Sequence, residues 1–278
     1  MDDALLPPDH FSQPFAADGD TAPEPTVTCW RCHRASPAST AICPYCEAEL
    51  APPVLGKRRA SASPIAPVCF VFSLLLVVTI VQAGLTFFVD PDARNADAQR
   101  LQIMFVAEAI DTAIVIAAWA LLGRRIPPFG AGPSRPWVAW CAAPFVLMAA
   151  LGANVGYHAL LRAYINWPGE IDARALPAPD LTLAILAICV QPAIIEELFF
   201  RYLSLGALRD SMNIHGAVFV SSVMFGVAHV GSPLSVPVLV LLGFTLGYLR
   251  VFSGGLALPM LVHFAHNAAI LLAEHLLP

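Results

Sequence analysis

A chain of 278 residues that is 58% hydrophobic and 13% charged, with a mean hydropathy of +0.69, is composed for a bilayer and not for a soluble domain with a large core. Its net charge of −5 leaves no basic footprint for nucleic acid. Most of the acids lie in the N-terminal tail and the loops, so the sum itself identifies no partner.

Residues 1–26, acidic with repeated Pro and Ala, are expected to be a disordered tail. The first fifty residues are polar and proline-rich, unlike a cleavable signal peptide. Within residues 27–50 stand Cys29-Trp-Arg-Cys32 and, ten residues on, Cys43-Pro-Tyr-Cys46. Two such knuckles give four thiolates the reach to close a tetrahedron around zinc, and so short a loop needs a metal to fold. The competing reading is two unrelated CxxC pairs. Four protein ligands close the site, so its role is structural or partner-binding, not catalytic. Thiolate–zinc chemistry favours a reducing compartment, hence a cytoplasmic N-terminus. The linker 51–65 carries Lys57-Arg58-Arg59, which by the positive-inside rule points the same way.

The remainder, 66–278, is predicted to be an all-α polytopic membrane bundle. Apolar segments fall at roughly 66–89, 101–123, 137–163, 181–206, 213–230, 234–251 and 256–276, each about long enough to span or nearly span. That gives about seven transmembrane helices, within a range of six to eight. Arg124, Arg125 and Arg135 follow the second segment, and Glu170, Asp172 and Asp180 outweigh Arg174 after the third. This alternation fits an N-inside bundle. Cys69, Cys141 and Cys189 sit alone in apolar runs and are expected to be small buried hydrophobes. No internal repeat marks an inverted-repeat transporter.

Charged and polar residues at membrane depth are costly and face a bundle interior or a wet cavity. Three such sets occur, each on its own apolar segment. In Gln191-Pro-Ala-Ile-Ile-Glu-Glu-Leu-Phe-Phe-Arg201, Glu197 and Arg201 are four apart and share a helical face, where they can pair. Glu196 points about 100° away, free to face a cavity. In Phe225-Gly-Val-Ala-His229 and His263-Phe-Ala-His-Asn267 the outer residues again share one face. A carboxylate, a histidine and a His/Asn pair are the parts of a water-activating hydrolase. Glu196 accepts a proton from water, with His229 orienting or sharing it. His263 and Asn267 donate to the oxyanion formed on an amide carbonyl.

Each residue also has a plainer role. Glu197 with Arg201 is a structural pair, and Glu196 a second partner for Arg201. His229 and Asn267 can be interhelical hydrogen bonders, and Phe225 a buttress for His229. His266 lies off the His263 face, in a packing role; His215 and His275 sit at segment ends, as interfacial residues do. Glu108 and Asp111 line the cavity, bind a cation or sit near a span end. By simple alternation of helices, His229 lies near the far end of its segment while Glu196 lies past the middle of one running the other way. Their meeting is therefore a test of the whole reading.

Glu196-Glu197-x-x-x-Arg201, Phe225-x-x-x-His229 and His263-x-x-x-Asn267, in that order, resemble the pattern of the CPBP intramembrane proteases. That family includes the CAAX prenyl endopeptidases and the Abi-type bacteriocin-immunity membrane proteins. The likeness covers about 181–276; the ribbon lies outside it. It implies an intramembrane glutamate-dependent endopeptidase acting on a membrane-associated protein or peptide. On that basis Glu196 is the base, His229 its partner, His263 and Asn267 the oxyanion donors, and Glu197, Arg201 and Phe225 supporting residues. Tyr202 departs from the pattern, where many members carry Gly after the Arg. Glu196, His229 and His263 also form a conceivable catalytic metal set, but without HExxH the metal-free reading is preferred. Two other functions compete: a catalytically silent scaffold recruiting a protein partner through the zinc ribbon, and an ion-coupled transporter using Glu108, Asp111 and Glu196. The transporter would need broken helices around those acids, and only Pro192 suggests one.

Overall fold

The computed structural model describes residues 25–50, 63–90, 93–126, 129, 136–165 and 178–276. The tail up to residue 24, the basic Lys57-Arg58-Arg59 patch, and Arg135, Glu170, Asp172 and Arg174 fall outside them. Two antiparallel strands, β1 (Thr26–Thr28) and β2 (Ala35–Pro37), pair in the register Val27 to Ser36. Seven helices follow: α1 (Ile65–Phe87), α2 (Ala96–Leu122), α3 (Pro136–Ile165), the composite α4, α5 (Ile214–Val227), α6 (Val236–Ser253) and α7 (Ala257–Leu276). The helix α4 runs without a break through Ala178–Ala184, a π segment Ile185–Val190, Gln191–Glu197, a second π segment Leu198–Ser204 and Leu205–Leu208.

In lipid every backbone group needs an internal partner, so apolar runs of this length fold as helices. Among the described residues five are long and apolar enough to cross a membrane; Ile214–Val227 has 14 residues and is shorter, while Ala257–Leu276 has 20. The seven predicted segments thus appear as seven helices, of which α5 is shorter than a full span. Cys189 is buried as expected, whereas Cys69 of α1 and Cys141 of α3 are exposed. Half of α4's spanning window is buried within the protein, against 11% for α3, so α4 is the axis and α1 to α3 turn most of their surface to lipid. Phe199 and Phe200 of α4, Phe225 of α5 and Phe72 of α1 stack around that axis.

The tightest helix pair is α5 against α6, and glycine makes it so. A Cβ on Gly243 would stand 3.0 Å from Ser222 Cα, one on Gly247 would stand 3.0 Å from Val218, and one on Gly226 would run into Val240. Small residues at such crossings let backbones approach without lost hydrogen bonds. The helix α5 starts cleanly because Asn213 Oδ1 accepts from the Gly216 N–H at 2.8 Å. Gly254, at φ 73°, closes α6 by donating to Arg250 O, a left-handed cap that favours glycine.

The N-terminal module is built from two like turns. Cys29 N donates to Arg34 O and Cys43 N to Ala48 O; His33 N and Glu47 N return to the carbonyls of Cys29 and Cys43. His33 and Glu47, each just after a CxxC pair, take left-handed φ values of 58° and 56°. The module rests on one end of the bundle: His33 meets the His215 ring at 5.8 Å, and Trp30 takes the Arg209 guanidinium at 6.0 Å.

Candidate active site

Pro192 shapes the site. It brings no N–H to the carbonyl four residues back, Ile188, which lies in the first π segment. Asn267 Nδ2 of α7 donates to that same carbonyl at 2.8 Å. Asn267 Oδ1 accepts from His266 Nδ1 at 3.2 Å, and His266 Nε2 accepts from Asn154 of α3 at 3.4 Å. This chain ties three helices together beside the paired acids. His266 is therefore an interhelical hydrogen bonder, and not a packing residue only. The helix continues through Pro192, so the break that a transporter would need is not at this position.

Glu197 and Arg201 pair as their spacing predicts: Arg201 Nε stands 3.1 Å from Glu197 Oε2, with the two side chains 1% and 0% exposed. The Arg201 Nη atoms have no hydrogen-bond partner; the guanidinium instead faces the Phe225 ring at 4.5 Å and Phe200 at 5.8 Å. Glu197 Oε1 accepts from His263 Nδ1 at 3.0 Å, so the Nε2 of His263 is the atom turned towards Glu196.

Glu196 lies between two imidazoles. His229 Nε2 is 3.8 Å from its Oε1, and His263 Nε2 is 3.9 Å from its Oε2. His229 Nδ1 donates to Phe225 O at 2.8 Å, which fixes the ring and leaves Nε2 towards the acid. The depth question thus closes on arithmetic. Glu196 is twelve residues from the end of α4, about 18 Å, and His229 fifteen from the start of α5, about 22 Å, at 1.5 Å per residue.

A cavity of about 480 Å³ opens in front of Glu196. Its wall takes in Glu196 and His229, then Glu108 and Asp111 of α2, Gln191 of α4, and Thr79, Gln82, Thr86 and Phe87 of α1. His263 and Asn267 are not in the wall; they lie behind Glu196 and the π segment. Of the three openings for Glu108 and Asp111, the first is met: both line the cavity. Gln191 donates both to Glu108 O and to Thr112 Oγ1 at 3.1 Å. Gln191 Oε1, Asp111 Oδ1 and Glu196 Oε2 are left as buried acceptors without a hydrogen-bond partner.

Two contributions went unread in the sequence. Gln191, five residues before Glu196, carries no sequence signal that sets it apart. The stripe Asn154, Tyr157 and His158, spaced i, i+3, i+4 in α3, was readable as one polar face. Tyr157 donates to Leu234 O at 2.6 Å and His158 Nε2 meets Ser235 Oγ at 3.2 Å.

The four N-terminal thiols converge: Cys29 and Cys46, and Cys32 and Cys43, place their sulfurs 3.6 Å apart. Among the described residues these cysteines are the one group of three or more such ligands within 4.8 Å of one another, and Glu196, His229 and His263 do not form another. Burial pushes the Cys29 thiol up and the Cys46 thiol to about 12. Burial acts the same way on Cys43, but hydrogen bonds from Ser36, the Tyr45 amide and the neighbouring thiols bring it to about 6. A bound cation would let all four ionise.

Residues 178–269, which carry α4, α5, α6 and most of α7, match a family model described as type II CAAX prenyl endopeptidase Rce1-like. This stretch is similar to that family. Neither the curated proteins nor the solved structures offer a match to the chain. The Rce1-like region holds Glu196, Glu197, Arg201, Phe225, His229, His263 and Asn267. The cavity's other wall, from α1 and α2, and the cysteine module lie outside it. With five apolar helices of spanning length, this is an integral membrane protein whose Rce1-like part contributes the acid and both imidazoles.

Proposed function

We propose that the protein is an intramembrane endopeptidase that cleaves a peptide bond in a membrane-associated protein or peptide. The observation that carries this reading is Glu196: one carboxylate, each oxygen facing an imidazole Nε2 at 3.8 or 3.9 Å, at the wall of a cavity. These gaps are longer than direct hydrogen bonds and suit a bridging water. Glu196 takes the proton of that water as it attacks the carbonyl carbon, and His229, fixed at Nδ1 by the Phe225 carbonyl, orients it through Nε2. The proton then passes from Glu196 to the leaving amine.

His263, held at Nδ1 by Glu197 and through it by Arg201, carries positive charge towards the oxyanion when its Nε2 is protonated. Asn267, the other oxyanion donor expected from its motif, is anchored on Ile188 behind the cavity wall, and acts on the site by holding the π segment. Glu197, Arg201 and Phe225 position these groups.

Zinc fits the cysteine module. Sulfurs 3.6 Å apart match the edge of a tetrahedron with Zn–S bonds of about 2.3 Å. The module would be a structural zinc ribbon, docked through Trp30 and His33, and its outer surface suits a protein partner. We place it and the N-terminus in the cytoplasm, on the basis of the thiols and the linker basic patch.

The family's description makes a peptide ending in a prenylated cysteine motif the first substrate to try. Purified protein in nanodiscs, given a farnesylated fluorogenic peptide of that kind and its unprenylated counterpart, reports both cleavage and recognition of the lipid. Cleavage that Glu196→Gln abolishes supports the reading; cleavage that survives the substitution overturns it.

A further inference from the structure

At the end of the bundle where the ribbon rests, two arginines share one aromatic ring. Arg209 follows the last turn of α4 and Arg250 lies in the last turn of α6. Each guanidinium carbon is 4.0 Å from the centroid of Phe129, so the two charges are no more than twice that distance apart. Asp210 and the Trp30 ring accompany Arg209. Among the described residues no carboxylate accompanies Arg250. It is 6% exposed, and its Nε and Nη1 are buried without a hydrogen-bond partner. Tyr202, which acts on Arg250 electrostatically, already donates its hydroxyl to Gly123 O at 3.2 Å.

Two ordinary accounts of such arginines fall short. A cation at a helix C-terminus complements the dipole and can bond the last carbonyls, but Arg250 Nε and Nη1 make no such bond. An arginine at a bilayer boundary snorkels its head into water, yet this head is buried. A buried guanidinium beside a second one needs an anion, and the described residues supply a carboxylate only beside Arg209. A tetrahedral anion with several oxygens can bridge two guanidiniums at this separation, and arginine is the side chain whose planar fork suits it.

We propose that Arg250 and Arg209 form a binding site for a phosphate group at the ribbon-side end of the bundle. Its sources are the headgroup of an anionic phospholipid or a free phosphate. Lying where α4 and α6 end, the site is within reach of a headgroup, and the Trp30 contact places it next to the ribbon.

The test uses the full-length, metal-loaded protein in detergent and reads its thermal unfolding midpoint. Inorganic phosphate is added against chloride of equal ionic strength, and phosphatidylglycerol against phosphatidylcholine, to wild type, Arg250→Gln and Arg209→Gln. The expected result is a rise of several degrees in wild type that is lost in Arg250→Gln and reduced in Arg209→Gln. A rise with both additives assigns a general phosphate site, and a rise with phosphatidylglycerol alone assigns a lipid site. In the absence of added anion, Arg250→Gln is expected to be at least as stable as wild type, since it removes an unpaired charge. No rise with either additive, or an equal rise in Arg250→Gln, overturns the proposal. Should Arg250→Gln fail to fold, native mass spectrometry of wild type and Arg209→Gln decides. Phospholipid or phosphate retained by wild type and shed by Arg209→Gln supports the site, and equal retention contradicts it.

Discussion

Glu196 and Glu197 are neighbours in sequence with opposite surroundings. Glu197 is fully buried, with Arg201 on one oxygen and His263 on the other. Glu196 is one fifth exposed and faces two imidazoles across gaps. Their substitutions should therefore separate stability from chemistry. Glu197→Gln leaves the Arg201 charge buried and uncompensated, which costs about 3–5 kcal/mol, and thermal unfolding should show it directly. Glu196→Gln removes no pairing that the fold depends on, so its melting temperature should match wild type. Equal destabilisation by both would mean that Glu196 is also structural. The spacing of Glu197 and Arg201 was enough to foresee their pair. The partners of Asn267 and His266 were not foreseeable, because Ile188 and Asn154 lie 79 and 112 residues away and no local periodicity encodes such contacts.

At the scale of elements, the close approach of α5 and α6 decides whether His229 reaches α4. Gly243→Leu would drive a side chain into the Ser222 backbone, an overpacking that typically costs about 1–3 kcal/mol. Gly152→Ala, in α3 with open space around it, should instead be neutral or stabilising by about 0.4–1 kcal/mol. Chemical denaturation of the pair checks both signs. For the ribbon, stripping metal with a strong chelator should unfold residues 25–50, seen as loss of amide protection there, while the helices keep theirs. A module that stays folded without metal would contradict the zinc assignment.

All seven segments were legible from hydropathy because each is a long apolar run. The two π segments of α4 were not, and they set which face its acids present. Nor was the meeting of Glu196 with His229 legible from the apolar runs alone: it depends on α4 continuing to Leu208, past the run 181–206.

For the whole molecule, ribbon and cavity lie at opposite ends. The ribbon touches Arg209 and His215, while Thr86, Phe87 and Arg100 at the α1–α2 turn line the cavity. With the ribbon in the cytoplasm, a cysteine placed at Phe87 should react with a membrane-impermeant thiol reagent from the far side, and one at Asp210 only after permeabilisation. The reverse pattern would invert the proposed orientation.

The proposed function rests on Glu196 activating a water between its flanking imidazoles at the cavity wall. The most direct measurement compares new peptide N-termini in membranes of cells expressing wild type or Glu196→Gln at equal abundance. Termini present with wild type and missing with Glu196→Gln are the predicted result; the same termini in both would contradict it.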